Sequence, residues 1–178
     1  KVGLSIFHFF IQLQARTEAA RSCQDFVNFH NADLNSNIKS YIKNVDYVVH
    51  CAARAELRHN WDNKKERELL FHNNEMATIC LLEQMPSVPI IFLSSASVYG
   101  SLSYLLRNGE LDKVLSENEA NPESIESPYA ASKLACESYV SAWSYKRKTP
   151  WYSLRIVNQV GGRYHRGVVN DFYNMAVN

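Results

Sequence analysis

The sequence contains little glycine or proline, and it has no glycine-rich turn. Only 6 glycines and 5 prolines occur among its 178 residues, and neither GxxGxxG nor GxGxxG is found anywhere. Motifs of this kind let a helix N-terminus hold the phosphates of a nucleotide. These residues therefore include no recognisable phosphate-binding loop.

An excess of charge of one sign and a long apolar run are also missing. The net charge of +1 gives no reason to expect nucleic acid or a membrane surface as a partner. The longest apolar run near the start, residues 4–13, is too short to span a bilayer and lacks a signal-peptide cleavage pattern. A content of 46% hydrophobic and 21% charged residues predicts a globular domain.

Cysteine is sparse, and its spacing indicates neither a disulfide framework nor a metal site. The four cysteines lie far apart without a CxxC pair, and three of them fall in apolar runs. We therefore expect free thiols and a reducing, cytoplasmic location. No set of histidine, cysteine and acidic residues has metal-ligand spacing, so no metal is expected. The cysteines are Cys23, Cys51, Cys80 and Cys136.

Short apolar runs alternate along the chain with amphipathic stretches of helical length. This alternation predicts βαβ units in a doubly wound parallel sheet, a Rossmann-like α/β fold. The polar segment 100–127 is predicted to be a long loop with at most a short helix, and such loops are usually functional. The predicted strands are 6–13, 45–53, 88–95 and 151–157, and the predicted helices are 34–43, 64–85 and 127–147.

The stretch "SPYAASK" at 127–133 places a tyrosine and a lysine four residues apart on a predicted helix. Residues at this spacing are neighbours on one helix face, and many helices match the pattern by chance. An ammonium on the next turn favours the phenolate form of tyrosine, which allows proton exchange with a substrate hydroxyl. Tyr129 and Lys133 are therefore either an acid/base pair or two unrelated side chains.

Two strand ends favour the chemical interpretation. The run "FLSSASVYG" at 92–100 ends in hydroxyls at the carboxyl edge of the predicted sheet, where α/β proteins bind ligands. A serine there could hydrogen-bond the same substrate oxygen as the tyrosine, or the serines could simply cap the strand. The run "VVHCAA" at 48–53 ends in small residues, which either admit a flat cofactor or pack against a helix.

Six blocks in order then carry a family resemblance, running from about residue 31 to 170. They are "NADL", "VDYVVHCAA", "NNEMAT" with "CLLE", "IIFLSSASVYG", "SPYAASKLACE" and "LRIVNQVGGRYHRGVV". Together they resemble the extended short-chain dehydrogenase/reductase family, and more narrowly its NAD-dependent epimerase/dehydratases that modify nucleotide sugars. The resemblance implies an enzyme with a Ser-Tyr-Lys hydride-transfer mechanism.

The resemblance also implies a role for individual residues. Tyr129 would be the catalytic acid/base, Lys133 would assist it and hold the nicotinamide ribose, and Ser95 would bind the same substrate oxygen. Ser97 and Asn158 would lie on the substrate side. The residues implied to contact the cofactor are Asp33, His50, Ala52, Ala53, Asn74, Tyr129 and Lys133.

The sequence departs from the family pattern at several points. The first strand, the Gly-rich loop and the C-terminal substrate domain are missing, so residues 1–178 are interpreted as a partial NAD(P)-binding domain that binds cofactor weakly. The second strand of the family normally ends in an acid, whereas Arg16 stands near that point. The resemblance favours NAD, and Arg16 is a weak indication of NADP. A nucleotide sugar and, for the full-length form, a second copy in a homodimer are the implied partners.

Alternative functions remain at this stage. One is an NADPH-dependent reductase of a carbonyl or thioester, and another is a cofactor-binding scaffold without turnover. Dehydratases of the family often carry acids after the catalytic hydroxyl, where this chain has Ala96 and Ser97, which favours an epimerase or reductase. A basic cluster could meet a diphosphate or form a solvated loop. That cluster consists of Arg163, His165 and Arg166.

Overall fold

The computed structural model describes residues 7–10, 27–30, 32–55, 61–100, 115–157 and 175. Strands and helices alternate through these ranges, and a π-helical segment, Phe71–Met76, joins α2 to α3. Short 3₁₀ turns follow β4 and precede α4, at Ala96–Tyr99, Glu117–Glu119 and Pro122–Ser124. The elements are β1 (Phe7–Phe10), β2 (Val27–His30), α1 (Lys39–Ile42), β3 (Val48–His50), α2 (Lys64–Leu70), α3 (Ala77–Gln84), β4 (Ile90–Ser95), α4 (Pro128–Arg147) and β5 (Trp151–Ile156).

Every strand pair of the described residues is parallel. β1 pairs with β2, and β4 lies between β3 and β5 in a separate sheet. In the doubly wound order 3-2-1-4-5-6, strand 1 separates a pair of strands from a group of three. The observed grouping fits that order with strand 1 unrepresented among the described residues. The predicted Rossmann-like α/β fold is confirmed.

Two local predictions were wrong. β2 was not predicted, because Val27–His30 is only four residues long and was not part of an apolar run. Helix α1 is shorter than the predicted 34–43, because a turn occupies the start of that range. The Asp33 carboxylate accepts a hydrogen bond from the Asn35 backbone N–H at 2.9 Å, and the Ser36 N–H donates to the Asp33 carbonyl at 2.9 Å. Local bonds of this kind compete with helix formation.

One hydrophobic core joins α1, α3, β4 and α4. Parallel sheets need apolar cover, and here helical side chains pack against the central strand β4. Trp143 of α4 and Trp151 of β5 pack at the edge of this core. The core therefore fixes α4 against β4, which determines where the candidate site can form. Its buried residues are Leu34, Ile38, Ile42, Ala77, Leu81, Leu82, Met85, Ile90, Phe92, Cys136 and Val140.

Two further sequence predictions concern cysteines and membranes. Cys51, Cys80 and Cys136 are free thiols, as predicted, although only Cys136 is buried. Cys23 lies outside the described residues. Within the described ranges, no helix has both the length and the apolar character needed to cross a bilayer.

Candidate functional site

The start of α4 places Tyr129 and Lys133 on one buried face. The Ser127 hydroxyl caps the helix by accepting a hydrogen bond from the Ala130 N–H at 3.1 Å, and Pro128 occupies the first helical position. Tyr129 therefore lies in the first turn, with Lys133 one turn later. Their exposed fractions are 7% and 4%. The predicted pair is thus on the inner face of the helix.

Lys133 is a buried cation held on the central strand. Its Nζ donates a hydrogen bond to the Leu93 carbonyl at 2.6 Å and lies 4.8 Å from the centre of the Phe92 ring. Burial lowers the pKa of the Lys133 ammonium. The nearby side chains of Cys136, Cys51 and Glu137 partly oppose this shift. A charge in such a position carries a desolvation cost, which is typical of functional sites.

The serine turn after β4 presents a directed hydroxyl. Ser95 is the last residue of β4, and its Oγ accepts from the Ser97 N–H at 3.2 Å and from the Ser97 hydroxyl at 3.0 Å. A hydroxyl has two acceptor lone pairs and one donor hydrogen. With both lone pairs used by Ser97, the group that Ser95 can offer another molecule is its O–H.

The edge of the sheet is stepped beside this turn. β3 ends at His50, which lies opposite Phe92, whereas β4 continues to Ser95 alongside β5. Ala52 and Ala53 follow β3 with small, half-buried side chains, and Ala52 packs against the hydrophobic core. A crevice outside the carboxyl ends of the strands is where doubly wound proteins bind ligands.

Asn74 fastens this strand end to α4. Its side chain accepts from the Arg54 N–H at 2.7 Å and donates to the Arg54 carbonyl at 3.3 Å and to the Ser132 hydroxyl at 2.9 Å. Ser132 lies between Tyr129 and Lys133 and donates to the Tyr129 carbonyl at 2.8 Å. The buried amide therefore holds the segment after β3 against the helix turn that carries Tyr129. Asn74 itself belongs to the π-helical segment, a distortion that is frequent at functional sites.

His50 is a neutral, buried ring beneath the same edge. Its Nε2 lies 2.9 Å from the Thr78 hydroxyl, and that hydroxyl donates to the Asn74 carbonyl at 2.6 Å. The Thr78 hydroxyl has one hydrogen, and its bond to Asn74 leaves a lone pair that can accept from His50 Nε2. Burial, followed by the positive charge of Lys133, lowers the pKa of His50 to about 3. The ring supports the site as an uncharged hydrogen-bond donor.

The structure gathers most of the predicted residues around the carboxyl ends of β3 and β4, because α4 packs against β4 and against the turn that follows it. Asp33 is exposed in the turn after β2, and that turn reaches the π-helical segment through Asn35, whose Nδ2 lies 3.4 Å from the His72 carbonyl. Asn158 and Arg16 lie outside the described residues. The gathered residues are His50, Ala52, Ala53, Asn74, Ser95, Ser97, Tyr129 and Lys133.

Two charged residues beside the predicted pair, Glu137 and Arg155, were not predicted from the sequence. Glu137, one turn beyond Lys133, forms an ion pair with Arg155 of β5, with oxygen and nitrogen 2.8 Å apart. Burial alone would raise the pKa of Glu137. Hydrogen bonds to its carboxylate, of which the bond from Arg155 has the largest effect, hold that pKa below its usual value. The bond with Glu137 raises the pKa of Arg155. A charged residue inside an apolar strand is the sequence signal that could have identified this pair.

The described part of the chain contains no candidate metal-binding site. No group of three or more histidine, cysteine, aspartate or glutamate side chains there could hold an ion. The titratable groups of the site are instead a phenol, a buried ammonium, a buried imidazole and a carboxylate paired with a guanidinium.

The chain matches a known protein family over most of its length. The model of the NAD dependent epimerase/dehydratase family matches residues 8–178. A dTDP-glucose 4,6-dehydratase of Mycobacterium tuberculosis is 28% identical over 132 residues, which cover 72% of this chain and 37% of that protein. The chain therefore spans less than half the length of this curated relative.

Solved structures share the fold. The UDP-glucuronic acid 4-epimerase of Bacillus cereus, in complex with UDP-glucuronic acid and NAD, superposes with a TM-score of 0.62 at 25% identity, over 76% of this chain and 42% of that one. A UDP-N-acetylglucosamine 4-epimerase of Methanobrevibacter ruminantium gives a TM-score of 0.73 over 96% of this chain and 54% of that one. At 23% identity, that second likeness concerns the fold alone. With its parallel sheet, its serine turn and the tyrosine and lysine of α4, the chain belongs to the NAD dependent epimerase/dehydratase family.

Proposed function

We propose that this chain supplies the cofactor-side catalytic groups of an enzyme that epimerises or dehydrates a nucleotide sugar. The observation that carries the proposal is the buried face of α4, where Tyr129 and Lys133 follow one another by a turn beside β4. The Ser95 hydroxyl at the end of β4 has its donor hydrogen to offer. These are an acid/base, a cation and a hydrogen-bond donor at one sheet edge.

A nucleotide sugar is the substrate class that the relatives support. The Bacillus cereus structure is described as containing UDP-glucuronic acid, and the Mycobacterium tuberculosis protein is named as acting on dTDP-glucose. We extend the class, a sugar on a nucleoside diphosphate, to this chain without choosing the sugar. In the substrate complex, Ser97 and Asn158 are proposed to face the substrate.

The residues present fit the nicotinamide end of a dinucleotide, and the family favours NAD. Lys133 and Tyr129 would meet the nicotinamide ribose, and the small side chains of Ala52 and Ala53 would let a flat molecule approach the chain after β3. The exposed Asp33 would meet the adenine end. His50 and Asn74 would act from beneath, since their side chains bond to the protein itself. When bound, the nicotinamide supplies the hydride acceptor and donor, which no side chain can provide.

The chain's own residues would handle the proton. Tyr129, as phenolate, takes the proton from a sugar hydroxyl while the Ser95 O–H donates to the same oxygen. The positive charge of Lys133 favours the phenolate form of the tyrosine. Loss of this proton, together with a hydride from the same carbon, would turn the hydroxyl into a carbonyl. In an epimerisation the hydride would return to that carbon and Tyr129 would give the proton back, so the side chain is regenerated in each cycle. Burial of the site excludes water that would compete for these bonds.

The Tyr129→Phe variant tests the proposal, because it removes one oxygen and leaves the ring. General acid/base catalysis contributes about 100- to 10,000-fold, so kcat should fall by that factor. Turnover of UDP- and dTDP-sugars by the full protein with NAD would be followed by NMR. The NMR spectrum distinguishes an epimer from a dehydrated product. The dissociation constant of NAD should change little.

The matched control is Tyr139→Phe on the same helix, where the side chain is 39% exposed and remote from the serine turn. This variant should keep the wild-type kcat. Equal turnover by wild type and Tyr129→Phe would overturn the catalytic assignment. No conversion of any nucleotide sugar by the wild type would overturn the substrate class.

A further inference from the structure

We propose that the Glu137–Arg155 ion pair is a positioning device that sets the serine turn against the Tyr129 face of α4. The pair joins α4, which carries Tyr129 and Lys133, to β5, and Arg155 also bonds to Tyr99 in the turn that follows Ser95. This inference rests on the function proposed above. It adds a pair of residues that act on catalysis through others.

Glu137 continues the catalytic face of the helix. It follows Lys133 by four residues and Tyr129 by eight, so all three lie along one side of α4. Its Oε1 accepts from Arg155 Nε at 3.0 Å and from the Ser153 hydroxyl at 2.8 Å, while Oε2 accepts from an Arg155 terminal nitrogen at 2.8 Å. The helix face is thereby bound to β5 through a carboxylate whose two oxygens are both used.

The other terminal nitrogen of Arg155 reaches two further segments. It donates to the Tyr99 hydroxyl at 3.0 Å and to the Glu117 carbonyl at 2.6 Å. The guanidinium carbon also lies 4.9 Å from the centre of the Tyr99 ring. Tyr99 ends the 3₁₀ turn that begins directly after Ser95, and Glu117 belongs to the segment that leads into α4. A single side chain therefore spans β5, α4, the serine turn and the approach to α4.

A second contact makes the serine turn and that approach one unit. The Ser124 hydroxyl lies 2.8 Å from the Asn121 carbonyl and 3.2 Å from the Tyr99 carbonyl, so its single hydrogen is shared between the two. Gly100 passes so close that an added Cβ would lie 2.6 Å from the Ser124 carbonyl oxygen. Gly100 also has a backbone φ of 92°, a value that residues with a side chain rarely adopt. The turn and the segment before α4 are therefore expected to move together. Arg155 bonds to both of them and holds them against β5.

The chemistry of the pair suits positioning better than stabilisation. Buried ion pairs often contribute little net stability, because desolvation offsets their attraction. A guanidinium is planar and offers donors in fixed directions, so it defines the angle between its partners as well as their distance. A lysine at the same place would keep the charge and lose the two-point geometry.

The main test is Arg155→Lys in the full protein, with a double variant, Glu137→Leu/Arg155→Met, that leaves no unpaired charge. Misplacement of catalytic groups by about 1 Å costs up to about 100-fold, so kcat should fall by about 10- to 100-fold with little change in KM. A readout that does not need turnover is amide hydrogen exchange at Ser97 and Gly100, which should become faster. Unfolding by denaturant gives the stability of each variant.

The control is Val140→Ala, which loosens the core side of the same helix without touching the pair. It should lose stability but keep the wild-type kcat and the slow exchange at the serine turn. The proposal is overturned if Arg155→Lys keeps kcat within about twofold of wild type, or if Val140→Ala, at a similar loss of stability, lowers kcat by the same factor. If the wild type converts no nucleotide sugar, the proposed function fails, and the exchange at Ser97 and Gly100 still decides the positioning role.

Discussion

The two halves of α4 bury different kinds of side chain. In the first half the buried residues include Ser132, Lys133 and Glu137, each with a specific hydrogen-bond partner. In the second half, Val140 is buried in the apolar core, and Ser144 is a single buried hydroxyl without a hydrogen-bond partner among the described residues. Tyr145 is 89% exposed beside two exposed basic residues. One continuous helix therefore carries a costly polar face at its start and an ordinary amphipathic pattern at its end.

The difference separates folding from chemistry along a single element. Apolar burial in the second half gives a favourable free energy that follows from removing surface from water. Polar burial in the first half costs free energy unless every group is bonded, so such groups persist where they serve a function. Substitutions in the first half should therefore lower activity more than stability, and substitutions in the second half should lower stability more than activity.

The largest expected effect is at Lys133. Replacing it with methionine removes a buried charge that burial penalises, so stability should change by less than about 1 kcal/mol. Activity should fall by about 100-fold or more, because the cation that favours the phenolate is lost. Steady-state kinetics and denaturant unfolding measure the two quantities. Lys146→Met, an exposed change in the second half, should alter neither, and an equal kinetic effect at both positions would remove the distinction between the halves.

The next effect is acid sensitivity caused by His50. Its pKa is lowered to about 3 in the folded protein, against about 6.5 when unfolded, so the unfolded chain binds the extra proton between these values. Stability from the neutral ring is therefore complete above pH 6.5 and declines as pH falls toward 3. The loss should reach about 2 kcal/mol by pH 5. Unfolding free energies from pH 8 to pH 5 should show a smaller slope in His50→Gln, and equal slopes would contradict the neutral buried ring.

Val140→Ala tests the second half directly. Two methylene equivalents are lost from a fully buried side chain, so the free energy of unfolding should fall by about 1 to 2 kcal/mol. No catalytic group contacts this residue in the proposed mechanism, so kcat should stay at the wild-type value. A large kinetic loss with preserved stability would reverse the comparison between the halves.

The bounds of α4 were predicted from the sequence more accurately than the bounds of the shorter elements. Helix 127–147 was placed within a residue of the observed Pro128–Arg147, because a serine cap, a proline and a long amphipathic pattern all agree there. β2 was missed, since four residues leave too little pattern.

The polar network of the site was the harder part to predict. The bonds of Arg155 to Tyr99 and Glu117 join residues 56 and 38 positions apart, and no local pattern encodes such pairings. Asn74 was assigned from the family resemblance, but its three hydrogen bonds, two to Arg54 and one to Ser132, could come only from the folded chain. The identity of candidate catalytic residues was thus readable, whereas the way they are held was not.

The smallest effects are expected at the two ends of α4, and they should have opposite signs. Ser127→Ala removes the cap bond to the Ala130 N–H and should lower stability by about 1 kcal/mol. Lys148 ends the helix with a φ of 55°, a conformation that glycine adopts without strain, so Lys148→Gly should raise stability by up to about 1 kcal/mol. Denaturant midpoints would measure both, and only Ser127→Ala should also reduce kcat, because Tyr129 lies in the turn that the cap fixes. A kinetic loss in Lys148→Gly would show that the catalytic face depends on the whole helix rather than on its first half.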